Sequence, residues 1–425
     1  MKFFPIFVRM ETRCFFAALT ALCIAAGHPA DANAVARNTV YNSNIKSLQT
    51  VVGDDWLSPP VMTLNSDETL YLSFDELSHD YHRFIYHIDH CEADWTVSEE
   101  IFESDYLRGF NDNPIEDYDI SVNTTVPYTH YMLEIPNEKC RLTLSGNYRI
   151  TVTDEDGEKM FDAEFMITEK KMSVGLEVST NTDIDKDRSH QQVTMKLNYE
   201  KVRVTNPNTQ IYTIVTQNDN PAVQRVCVKP NVVSAQGLEW THRREFIFDA
   251  GNEYHKFEAL DLSHTTMGLE SVEWDGEHFI ASPFIAEERK NYLYDEDANG
   301  AFYIRNSDNI DNDFTSDYFY ARYRLKSPFI TKRMRIQGRW TTDADKSVYD
   351  MSYDGREEMY TATILQKQGY YSYRFVAVDT DGTESIPPTE GNFYQTENRY
   401  QAYVYFKGTG ERTWRLVAYR QQTFK

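Results

Sequence analysis

The sequence predicts an all-β protein, built as two to three consecutive immunoglobulin-like or early-set β-sandwich domains behind a cleavable export signal. Three observations predict it. Short runs alternate apolar and polar residues with period two, and turn residues separate them. With 29 Tyr, 24 Phe and 6 Trp in 425 residues, the core-forming material is strongly aromatic, which suits pleated, half-buried surfaces. No amphipathic helical pattern of useful length competes with the strands.

The amino terminus reads as a signal peptide. Lys2, Arg9 and Arg13 precede an apolar stretch, Cys14–Gly27, that is too short to span a bilayer, and Ala32-Asn33-Ala34 gives a small-x-small cleavage pattern. Either Met1 or Met10 serves as initiator, since Arg13 keeps the charged segment in both cases. Leu22 stands before Cys23 where a lipoprotein signal wants a small residue, so soluble export is expected. No later apolar run has the length of a transmembrane helix.

Roughly 390 residues remain after residue 34, enough for two or three domains of about 100–150 residues. The expected division is 1–34 signal peptide, 35–168 first sandwich, 169–305 middle β-rich domain and 306–425 terminal early-set sandwich. In the first, strands are expected at Leu70–Phe74, Phe84–Ile88 and Asn147–Thr153. The last leads through Glu155-Asp156-Gly157 into Glu158–Thr168, a hairpin with Gly157 at positive φ. In the middle domain they are expected at Lys171–Ser179, Val193–Tyr199 and Thr209–Gln217, followed by a turn entering a strand at Gly251–Phe257. The acidic stretch Asp308–Asp317 reads as a linker or long loop. Beyond it, strands are expected at Tyr318–Leu325, Arg333–Arg339, Tyr360–Leu365, Tyr370–Asp379, Tyr400–Phe406 and Trp414–Tyr419.

A formal net charge of −23 repels phosphate, so nucleic acid and anionic lipid are poor partners. Beyond the signal only Cys91, Cys140 and Cys227 remain. A Cys91–Cys140 disulfide with Cys227 as a buried thiol, or three free buried thiols, are both open, and no spacing resembles a zinc site. His79, His82, His87, His90 and Cys91 lie close in sequence, but strand parity sends His87 and His90 to opposite faces, which argues against a metal. Asp295, Asp297 and Asn299 ahead of Gly300 match half of a calcium loop. The twelfth position is Asn306 where a bidentate Glu belongs, and Ala301–Ile304 looks like a strand, so a tight acidic turn is the better reading. No nucleophile elbow, zinc-protease motif or phosphate loop is present, and no cofactor is implied. Trp95, Trp340 and Tyr370-Tyr371-x-Tyr373 are weighed as an aromatic platform against a core role. Parity sends Tyr371 and Tyr373 to one face and favours the core.

Several ordered blocks carry a likeness that spacing alone would not supply. They are Tyr86-His87-Ile88-Asp89-His90-Cys91-Glu92-Ala93-Asp94-Trp95, Tyr106-Leu107-Arg108-Gly109-Phe110, Ser121–Thr125, Tyr128–Tyr131 and Ser145–Tyr148. Thr216-Gln217-Asn218, Lys229-Pro230, Ala250–Tyr254 and Glu390–Tyr400 through Tyr405 follow. In order and spacing the chain resembles the type IX secretion system plug protein family of Bacteroidota-type bacteria. The resemblance implies a non-enzymatic periplasmic protein that binds the outer-membrane β-barrel translocon of that system and occludes its periplasmic opening. Trp95, Arg108 and Tyr128 are the partner contacts singled out from those blocks. The competing class is a carbohydrate-binding protein, because Met334–Asp379 is similar to early-set domains that bind starch or glycogen; a secreted enzyme with a carboxylate pair is a third.

Overall fold

The computed structural model describes residues 38–425, so the signal peptide expected over 1–34 lies outside the described residues. The described residues form one compact unit, in which three β-sandwiches can be traced through strand pairing and shared cores.

The first sandwich faces two sheets across one core. One sheet runs Thr39–Val40, Lys159–Thr168, Gly146–Thr153, Ile85–Cys91, Asn113–Pro114, with Val61–Thr63 parallel to Lys159–Thr168. The other runs Ile45–Val52, Leu70–Glu76, Thr129–Ile135, Asp117–Ile120. Period two is visible in Gly146–Thr153, where Tyr148, Ile150 and Val152 are fully buried and Arg149 and Thr151 are not. They meet Leu70, Leu72 and Phe74 from the opposite sheet, and Phe74 stacks on Tyr131 at 5.2 Å. The expected hairpin closes at Gly157, whose φ of 85° suits a residue without Cβ.

The second sandwich pairs Ser173–Ser179, His190–Asn198, Gly237–Trp240 and Val232–Val233 in one sheet, with Ile247–Asp249 also on His190–Asn198. Its facing sheet contains Gln224–Val226, Ile211–Gln217, Asn398–Phe406 and Arg415–Phe424. Asn398–Phe406 lies between Ile211–Gln217 and the final strand, and Tyr400, Ala402 and Val404 fill a core with Val193, Met195 and Trp240.

The third sandwich occupies the chain between those halves. Gly369–Val378 pairs with His255–Ala259, Phe302–Ile304, Arg333–Gln337 and Glu384–Ser385. Opposite lie Leu269–Trp274, Phe279–Pro283, Tyr318–Lys326, Met359–Lys367 and Ser352–Asp354, in that order. The boundary expected at residue 306 therefore falls inside this sandwich, and the last two strands of the expected 306–425 domain complete the second one. Hydrophobic periodicity locates strands but does not name their partners, and these partners are far apart in sequence. The acidic stretch 308–317 is no linker between domains: it joins Phe302–Ile304 to Tyr318–Lys326 within one sandwich and packs on the first.

Deleting residues 398–425 is expected to open residues 173–249 to protease, because the sheet facing them loses two of its four strands. Continued protection of 173–249 in limited proteolysis would show instead that the terminal strands are dispensable to the second sandwich.

Candidate interaction surface and the joints behind it

Three joints hold the sandwiches together. Between the first and second, Cys91, Ala93, Trp95 and Met166 pack on Ile214, Tyr403, Tyr405 and Leu416 in a separate buried cluster. Hydrogen bonds frame it: Tyr405 Oη donates to Asn147 Oδ1 at 2.8 Å, the Trp414 amide to Glu92 Oε2 at 3.0 Å, and the Glu169 amide to the Leu416 carbonyl at 3.0 Å.

Between the first and third, the Asp75 carboxylate is fully buried. It accepts from Lys367 Nζ, Tyr318 Oη and His130 Nδ1, each at 2.6 Å. Burial alone would raise the carboxyl; the Lys367 charge and the His130 hydrogen bond overcome it and hold Asp75 below the ordinary carboxylate range. Lys367 Nζ also donates to the Asp313 carbonyl at 2.5 Å and lies 4.1 Å from the Tyr128 ring centre. Tyr128 Oη donates to the Ser316 carbonyl at 2.7 Å, and Asp317 accepts from the Thr125 and Val126 amides.

At the third joint all three sandwiches meet. Arg339 Nη2 donates to the Leu57 carbonyl at 2.7 Å and Arg399 Nη1 to the same oxygen at 2.6 Å, while Arg399 Nη2 reaches the Ala298 carbonyl at 2.9 Å. Trp56 packs on Tyr303 at 5.4 Å. Asp219 faces Arg339 at 3.9 Å, yet burial outweighs the arginines and pushes its carboxyl up to about 6.

The joints and the sandwich cores together absorb most of the cysteines and aromatic residues singled out in the sequence. Trp95 and Tyr128 are buried inside the first two, so neither side chain is available to a partner. Cys91 sits in the joint cluster and Cys140 in the first core; both are free thiols, so the possible disulfide is not formed. Cys227 is exposed, not buried, on the loop after Gln224–Val226. Trp340, Tyr371 and Tyr373 are core residues of the third sandwich, with Trp340 Nε1 donating to the Ser372 carbonyl at 3.2 Å, so the platform reading fails there. Tyr370 is half-buried against Trp56.

The calcium-like triplet is also engaged. Asp295 pairs with Lys256 at 2.6 Å, and Asp297 accepts from the Tyr254 and Asn299 amides beside Glu253. The following residues form the strand Phe302–Ile304. Among the described residues no group of three or more His, Cys, Asp or Glu side chains is placed to hold a metal ion. His87 bonds Asp89 and Asp112, which raise it to about 9, whereas His90 is buried and bonds Ser98 and the Ser145 carbonyl.

Arg108 alone of the three expected contacts is exposed. It lies opposite Arg141 in the two-stranded ladder of Leu107–Gly109 with Cys140–Leu142, and neither arginine has a carboxylate partner among the described residues. Gly109 makes the ladder possible: at φ 111°, a Cβ would collide with the Lys139 carbonyl. Phe110 and Phe102, 75% and 73% exposed, are the most exposed aromatic side chains among the described residues and flank the same ladder. Asn111 Nδ2 donates to Glu103 Oε2 at 3.2 Å and draws the two ends of this segment together. Sequence reasoning singled out Arg108 and not Phe110, which stands in the same block, and it passed over Phe102, because exposure cannot be read from a single apolar residue. Two arginines without carboxylate partners, in a segment that also exposes two phenylalanines, have the composition of an interface centre on a chain this acidic.

Residues 45–169 match the family described as Type 9 secretion system plug protein 1st domain. A crystal structure of a hypothetical protein from Parabacteroides merdae is similar to this chain with 31% sequence identity and a TM-score of 0.88, covering 92% of this chain and 100% of that one. A structure of Escherichia coli alpha-2-macroglobulin activated by porcine elastase aligns at TM-score 0.15 and 8% identity, over 89% of this chain and 34% of that one, and carries no argument. No curated protein matches the chain.

Two outcomes test the joints. Lys367→Met leaves the Asp75 carboxylate buried without its ammonium and is expected to lower stability by about 3–5 kcal/mol in denaturant unfolding, with partial recovery on adding Asp75→Asn. Asp297 has its carboxyl pushed up to about 7, first by burial and then by Glu253. The folded state thus holds a proton that the unfolded chain releases near its ordinary value of about 3.9. The contribution of this group to stability falls as pH rises through that window and is constant above it. Asp297→Asn is expected to make the decline of stability between those values shallower, by up to ~1.4 kcal/mol per pH unit for one proton, read from unfolding at a series of pH values.

Proposed function

The chain belongs to the type IX secretion system plug protein family, and on that premise we propose that it is a periplasmic, non-enzymatic subunit that binds the outer-membrane β-barrel translocon of that system and occludes its periplasmic opening. The match of residues 45–169 to the family's first domain carries the reading. The body described above supports it physically. An occluding subunit must present a fixed shape to a wide opening, and three sandwiches keyed by buried hydrogen bonds and ion pairs resist changing their mutual angles. No step of occlusion needs a reacting group, only a large complementary surface. The binding centre is the ladder carrying Arg108 and Arg141 together with the exposed Phe102 and Phe110 of the same segment, whose guanidinium groups and aromatic rings suit a partner surface of carboxylates and apolar side chains.

The test is an affinity pull-down of the tagged mature protein from its native envelope, with mass spectrometry of what co-purifies. A very large outer-membrane β-barrel is expected in the eluate, and Phe102→Asp with Phe110→Asp is expected to cut its recovery by roughly tenfold while leaving the thermal transition in place. Absence of that barrel under conditions that keep it intact would overturn stable plugging; undiminished recovery with the double variant would overturn this face.

A further inference from the structure

Asp117–Ile120 is the outermost strand of its sheet and pairs on one side only, with Thr129–Ile135. All four of its side chains are exposed, on both faces. The Ser121 amide donates to the Tyr128 carbonyl at 2.9 Å, which fixes the alternation of the ladder: Asp117 and Asp119 turn their peptide groups toward the neighbouring strand, and Tyr118 and Ile120 turn theirs outward. An unpaired row of N–H and C=O groups is a template for another strand. On one face of this edge stand Tyr118 and Ile120, extended by Tyr81, whose ring lies 4.7 Å from that of Tyr118. Asp117 and Asp119 occupy the other face, without a cationic partner among the described residues.

Further negative charge surrounds the edge. Val122, exposed just beyond the strand, donates its amide to the Phe314 carbonyl, which brings the acidic loop with Asp308, Asp311 and Asp313 alongside. Lys139 is already paired with Glu116 at 2.6 Å, and the His79 ring is bonded to the Ser121 carbonyl. A second copy of this chain added antiparallel would set Asp against Asp, which disfavours self-pairing. The same charges attract a strand of opposite sign.

The geometry points to this edge as a strand-addition site that accepts an extended basic segment of a partner protein, with Lys or Arg beside Asp117 and Asp119 and apolar or β-branched residues beside Tyr118 and Ile120. Main-chain bonds to Tyr118 and Ile120 supply the affinity, and the alternating side chains supply the selection. The site is separate from the Arg108 ladder, opposite to it in charge, and stands whether or not the chain occludes a pore.

The probe is a fluorescent nine-residue peptide alternating Lys with Thr and Val, compared by anisotropy with its Glu counterpart on the intact mature protein. The Lys peptide is expected to bind, to weaken with added salt, and to slow hydrogen exchange at the amides of Tyr118 and Ile120. Asp117→Lys with Asp119→Lys is expected to weaken the Lys peptide at least about tenfold and to admit the Glu peptide. Ile120→Pro removes an outward donor without touching the inner ladder and is expected to abolish binding; should that variant lose its thermal transition, the charge reversal decides. Failure of the Lys peptide to bind, binding indifferent to the charge reversal, or a dimer of the protein that Ile120→Pro dissolves would each overturn the proposal, the last by making a second copy the occupant.

Discussion

The second sandwich is completed by strands that the chain supplies only after leaving it and tracing another sandwich, and the rest of the structure depends on that constraint. Both connections to the third sandwich must pass through one place. There the outgoing segment Ala250–Tyr254 and the returning segment Thr389–Glu397 lie side by side. Gly251 donates its amide to Asn392 Oδ1 and accepts the Phe393 amide, each at 2.8 Å, Asn252 Nδ2 donates to the Glu390 carbonyl at 2.8 Å, and the Glu397 amide reaches Glu253 Oε1 at 3.1 Å. A single linker leaves neighbouring domains free to rotate; two crossing strands of chain bonded to each other do not.

With the neck fixed, the polar joints decide the angle between bodies. Apolar faces alone tolerate sliding, because dispersion and the hydrophobic effect have little directional preference. Asp75 does not tolerate it: its three donors come from Thr129–Ile135, Tyr318–Lys326 and Met359–Lys367, so any displacement strands a buried charge. Arg339 and Arg399, converging on the Leu57 carbonyl, impose the same demand from the other sandwiches. Such groups add less to net stability than apolar packing would, and more to uniqueness of arrangement.

Strand positions were legible because period two is local, as Tyr148, Ile150 and Val152 show. The insertion was not: nothing in Asn398–Phe406 says that it pairs with Ile211–Gln217 rather than with a nearer strand, since both carry the same alternation. Polarity misled at residues 308–317, where carboxylates and backbone carbonyls that look solvent-seeking capture Tyr128, Lys367 and the amides of Thr125 and Val126. Trp95 and Tyr128 stood out for the same reason that they are unavailable. A large aromatic in an ordered block is either a place where the chain closes on itself, as at Trp95 and Tyr128, or a side chain left over for a partner, as at Phe110, and the block does not say which; Phe102 has no pattern to announce it.

That division bears on how a multi-sandwich body engages a partner. Trp95 and Tyr128 belong to internal joints, and rigidity is what those joints confer. Contact is then left to arginines without carboxylates, phenylalanines outside every core, and one strand whose outer edge is unpaired and whose four side chains are exposed. Because these side chains are exposed, each can change without unfolding the body, and because the body is rigid, each stays at a fixed distance from the others. A partner surface that meets them together gains from every contact without ordering the chain that presents them, which is the energetic advantage of a preformed binder over a flexible one.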